Sequence, residues 1–129
     1  MSKKGFTLVE LLIAITIVAI LTAIFIGFGT MTTMKKGRDA KLRADIKNAQ
    51  KAYEQYYSIN GKYGTWAEMD TALQKPLSDK VTRTAGGGGY CLCAPLEVKG
   101  LGNAGGLVCT FIENGDYYCV ASVQEDFAP

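Results

Sequence analysis

The chain has 129 residues, four cysteines, no histidine and a formal charge of +2, which bounds it to one small domain beside a hydrophobic stalk. Without histidine, a serine in a nucleophile-elbow context or a carboxylate cluster of metal-ligand spacing, it offers catalysis nothing to work with. We expect no enzyme and no cofactor. The first element is a run from residue 6 to 34 in which Glu10 is the one charge. It exceeds the roughly 20 residues that a bilayer core requires, and as a helix it would be on the order of 40 Å long. A carboxylate inside such a span costs about 2.5–3.5 kcal/mol on insertion scales, so Glu10 needs a partner.

Lys4-Gly5 followed by Phe6-Thr7-Leu8-Val9-Glu10 resembles the class III leader of type IV pilins and pseudopilins. Glycine, phenylalanine and glutamate at fixed offsets ahead of an apolar helix carry the likeness, which covers residues 3–34 and, less closely, the chain as far as Tyr63. The resemblance implies that a prepilin peptidase cuts after Gly5 and methylates Phe6, making residues 1–5 a leader. It also implies that mature subunits polymerise, with Glu10 of an incoming subunit meeting the Phe6 amine of one already in the filament. Desolvation offsets much of that attraction, so the gain lies in axial register more than in stability.

The implied fold is α+β: a long N-terminal helix, hydrophobic over residues 6–34 and amphipathic over 35–57, packed on a disulfide-braced antiparallel sheet within residues 58–129. The implied partners are further copies of the chain, minor pilins, the peptidase, an inner-membrane assembly platform and, indirectly, a cytoplasmic motor ATPase. Before assembly the chain would cross the inner membrane once, through residues 6–34 and with a cytoplasmic N-terminus; afterwards it would lie in an extracellular filament. Many family members carry a proline late in the apolar segment. Here the first proline is Pro76, and Gly27 and Gly29 occupy that region, each about 1 kcal/mol less favourable than alanine in a helix. They are candidates for local loosening on assembly.

Residues 35–57 carry seven bases against Asp39, Asp45 and Glu54, a balance of +4, whereas residues 58–129 carry five bases and eight acids, a balance of −3. The basic stretch reads as a solvated helix face, or as a contact for acidic lipid headgroups or for a neighbouring subunit's acidic head. Nucleic acid is the least supported partner, because the aromatics lie mostly elsewhere. The positive-inside rule, comparing Lys3 and Lys4 with the bases after the span, would place the C-terminal part in the cytoplasm. The four cysteines and the leader motif argue the opposite orientation, which we adopt.

Leu42, Ile46, Ala49, Tyr53 and Tyr56 recur at helical spacing and mark the face that receives the head domain. Asn60-Gly61 suits a left-handed helix end. A short helix near residues 67–74 follows, capped by Thr65 and closed by Pro76, with Trp66 as a core anchor. Strands are expected over 90–97, 107–113 and 117–123, the last two joined as a hairpin across Asn114-Gly115. The glycine-rich segments 86–89 and 99–106 read as flexible connectors.

Cys91, Cys93, Cys109 and Cys119 all fall in the expected sheet, and an even count in an exported head argues for two disulfides. Cys-x-Cys is not a usual zinc spacing. Cys91 and Cys93 point to one face of a strand, so each needs a different partner. That leaves Cys91–Cys109 with Cys93–Cys119, or the swapped pairing. Glu113, Asp116, Glu125 and Asp126 could bind calcium, but solvated charge is the preferred reading. The expected function is therefore a type IV pilus subunit serving adhesion, motility or DNA uptake. The alternatives are a type II secretion pseudopilin and, from another class, an uncleaved single-span surface protein.

Overall fold

The computed structural model describes residues 5–27 and 31–129, which divide into two compact units between Met34 and Lys35. In the first, helix α1 (Leu8–Gly27) is apolar all round apart from Glu10 in its first turn, and none of its residues is buried within the chain. A helix with no polar face needs a surrounding of its own kind. Its 20 residues are long and apolar enough to cross a membrane, at about 1.5 Å per residue. Its two threonines are internally satisfied: Thr16 donates to the Ile13 carbonyl at 2.8 Å, and Thr22 to Val18 and Ala19 at 2.9 Å. Gly27 is the last residue of α1; Gly29 lies outside the described residues.

Helix α2 (Met31–Asn60) belongs to the second unit from Lys35 onward. Its buried stripe is Asp39, Leu42, Ile46, Ala49 and Tyr53, while Tyr56 packs at the rim. Gly61, at φ +71°, ends the helix and donates its N–H to the Tyr57 carbonyl at 2.7 Å. Helix α3 (Trp66–Asp70) is shorter than expected. Thr65 and Glu68 cap it reciprocally, and then Ala72 and Leu73 bond back three residues instead of four, to Met69 and Asp70 at 3.0 Å. The helix thus tightens into a turn well before Pro76.

Five strands form one antiparallel sheet: β1 (Thr82–Gly86), β2 (Gly89–Pro95), β3 (Gly102–Ala104), β4 (Phe111–Gly115) and β5 (Tyr117–Ala121), in the order β1-β2-β5-β3-β4. The architecture is α+β, N-terminal helix followed by a small sheet. Tyr90, Leu92, Ala94 and Val120 on one sheet face pack with the α2 stripe and Met69. Trp66 joins this core from the side, 6.3 Å from the Tyr53 ring.

Two expectations about the sheet are corrected. Residues 111–115 and 117–121 are not a hairpin: β3 inserts between them and pairs with both. Gly115 serves close approach here, since a Cβ there would lie 2.0 Å from the Ala104 carbonyl oxygen. The glycine segments are not free connectors either. Gly87 (φ +62°) and Gly88 (φ +89°) make the two-residue turn of a β1–β2 hairpin, and the segment 99–106 contains β3.

Candidate functional site

The N-terminal site is built by a cap. Thr7 immediately precedes α1; its hydroxyl accepts the Glu10 N–H at 3.3 Å, and Glu10 Oε2 accepts the Thr7 N–H at 3.4 Å and the Thr7 hydroxyl at 3.3 Å. This is the same Thr-x-x-Glu reciprocity that starts α3. It satisfies the carboxylate within its own turn and fixes the helix start beyond residue 7. Gly5 and Phe6 consequently lie outside the helix. Beyond its chain neighbours, no atom of the described chain comes within 4 Å of a Cβ built on Gly5, and Phe6 is 77% exposed.

The second site is the cysteine cluster on the sheet face away from α2. Cys91 bonds Cys109 and Cys93 bonds Cys119, so no described cysteine is free. This is the first of the two pairings the sequence left open. Cys93 and Cys119 stand directly opposite each other on β2 and β5. Cys109, expected in a strand, lies instead in the loop before β4 at φ +53°. All four sulfurs lie within 4.8 Å of one another, and Ala104, Tyr117 and Phe127 pack around them.

The acidic residues near the last strands do not assemble a cation site. Asp116 accepts the Gly100 N–H at 3.0 Å and Glu125 the Tyr57 hydroxyl at 3.1 Å. Among the described residues the cysteines are the one group of metal-ligand spacing.

Two acids that sequence reasoning counted only as charge organise the head. Asp39 is 3% exposed, and its two oxygens accept the backbone N–H groups of Glu97 and Val98 at 2.9 Å. Beside it Arg38 makes a two-pronged contact with Glu97 at 2.9 and 2.7 Å, which raises the guanidinium's pKa and lowers that of the carboxyl. Arg43 reaches the Leu101 carbonyl and lies over the Tyr118 ring. The segment from β2 to β3 is thereby fastened to α2. Asp39 stands three residues before Leu42, on the apolar stripe, a spacing that could have revealed it.

The model of the prokaryotic N-terminal methylation motif matches residues 1–26, the segment holding Gly5, Phe6 and Glu10. Over 111 residues the chain is 34% identical to the type IV wide pilus major component PilA4 of Thermus thermophilus, an alignment that covers 83% of this chain and 79% of that protein. The chain belongs to the type IV pilin family. No solved structure is significantly similar to it.

Proposed function

We propose that the protein is a structural subunit of a type IV pilus, cleaved after Gly5, methylated on Phe6 and polymerised into a surface filament. The observation that carries this reading is the exposed, non-helical Gly5 and Phe6 immediately ahead of a capped 20-residue helix whose one charge is Glu10. Residues 1–5 are the leader, residues 6–34 the membrane and later filament-core segment, and residues 35–129 the basic helix and head. Before cleavage Thr7 satisfies Glu10. Cleavage creates an ammonium at Phe6, four residues before Glu10 and just ahead of the helix start, so the carboxylate gains a charged partner in its own or a neighbouring subunit.

In this reading the head sits outside the cytoplasm, where its disulfides persist. In the membrane, lipid surrounds α1; in the filament, other helices do. The exchange is nearly neutral in apolar burial, so packing detail and the Glu10 contact decide it. Gly27 and Gly29 are where the segment would loosen. The presence of Glu10 favours a subunit packed along the shaft. The subunit has no catalytic role.

Intact mass and N-terminal mapping of sheared surface material test the proposal. A chain beginning at N-methylated Phe6 is the expected result. A chain that retains residues 1–5 and occurs only in membranes would overturn it in favour of an uncleaved anchor.

A further inference from the structure

We infer that the β4 edge of one copy docks on the solvent face of α2 of another, with Glu113 seated between Lys47 and Lys51. The inference rests on the pilus-subunit reading and names the surfaces that would meet. Strand β4 closes the sheet and pairs with β3 alone. Phe111 and Ile112 on it are 54% and 50% exposed, and Val108, just before it, is 46% exposed. An open strand edge with bare apolar side chains is a liability that proteins cover.

The charges say what covers it. Several head carboxylates are engaged within the chain, Glu97 by Arg38, Asp70 by Arg83 and Glu125 by Tyr57, and of those that are not, Glu113 is the one on the β4 edge. Glu113 has no side-chain partner among the described residues, and it shares a shallow hollow with Phe111 and Ile112. On α2 the reverse holds. Lys47 and Lys51 are exposed, lie one turn apart and form no ion pair among the described residues, with exposed Ala44 beside them. A lysine laid on this edge would place its methylenes over Phe111 and Ile112 and its ammonium at Glu113.

The two faces differ, so the contact is heterologous. Each copy keeps one face free after using the other, and such a contact propagates into an open helical array instead of closing as a dimer. The contact draws on the division of charge between α2 and the remainder of the head.

The test uses intact sheared filaments whose subunits begin at Phe6. Zero-length carbodiimide coupling, followed by reducing gels and peptide mapping of the dimer band, should join Glu113 to Lys47 or Lys51. Glu113→Lys alone and Lys47→Glu/Lys51→Glu alone should each lower surface filament about tenfold or more, with membrane level and disulfides unchanged, and the combined triple variant should restore it. Filaments that assemble normally with Glu113→Lys overturn the inference while leaving the subunit reading intact. So do dimers in which Glu113 is coupled to a different protein, or lysines shielded only by acidic lipid vesicles. Material lacking Phe6 termini overturns both.

Discussion

The Tyr90 hydroxyl donates to the Glu54 carboxylate at 2.8 Å across the interface between α2 and the sheet. The Tyr63 hydroxyl lies 2.8 Å from both Glu54 oxygens, and the Val123 N–H reaches Oε1 at 3.1 Å. One carboxylate thus ties the helix to the loop after it, to β2 and to the segment following β5. Glu54→Ala should destabilise the head by about 1–3 kcal/mol, because it leaves the buried Tyr90 hydroxyl only a long contact, 3.4 Å, to the Gln50 carbonyl. Urea denaturation of the detergent-solubilised chain measures this, and Tyr90→Phe in the same background should recover part of the loss.

The same contacts predict alkaline sensitivity. Burial first, and then the hydrogen bond to a carboxylate, raises the pKa of Tyr53, Tyr63 and Tyr90 above the ordinary phenol value. The folded state therefore holds protons that an unfolded chain releases near pH 10. Their contribution is complete below that pH and falls as pH rises through the folded values. The urea midpoint should drop between pH 9 and about 11, with a burst of phenolate absorbance on unfolding.

Asp39 predicts a local effect. Asp39→Ala leaves the N–H groups of Glu97 and Val98 without their acceptors and should cost about 2–4 kcal/mol. Hydrogen exchange should accelerate first at those two amides, ahead of the rest of the sheet. Asp39→Asn, which retains one acceptor oxygen, should lie between wild type and Asp39→Ala.

The disulfides close loops with sequence separations of 18 and 26. Chain entropy assigns each about 3 kcal/mol, so replacing either pair by alanines should lower the thermal midpoint substantially, and replacing both should lower it further. Non-reducing peptide mapping of exported protein should find Cys91–Cys109 and Cys93–Cys119 with no free thiol.

Glu10→Ala removes the carboxylate but keeps the helix apolar. Membrane levels of the subunit should persist while surface filament grows slowly. Immunoblots of membrane and sheared fractions check this, and normal filament mass would remove the pairing argument.

What the sequence made legible was local chemistry with a fixed period or offset. The α2 stripe showed because Leu42, Ile46, Ala49 and Tyr53 repeat with the helix, and the Thr65 cap because a threonine is a favoured residue at a helix start. The strand order was not legible. Asn114-Gly115 carries a local hairpin signal, yet the short strand at 102–104 comes between the two expected partners and pairs with both, and glycines at 102 and 115 admit it by letting backbones approach where a Cβ would collide. The glycine run at 86–89 misled similarly. Its smallness serves a hairpin turn and the chain near Ala128, whose carbonyl oxygen would lie 2.1 Å from a Cβ on Gly86. Glu54 gave no sign, since a carboxylate that gathers donors from three separate segments has no sequence period.

Cys93 and Cys119, facing each other on neighbouring strands, also set how the head bears tension. A pull on the chain at either side of the sheet crosses from one to the other through sulfur, bypassing a sequence separation of 26. At about 3.3–3.6 Å per extended residue, roughly 90 Å of polypeptide cannot be drawn out however far the surrounding strands peel. The head acts as a rivet with limited slack at its margins.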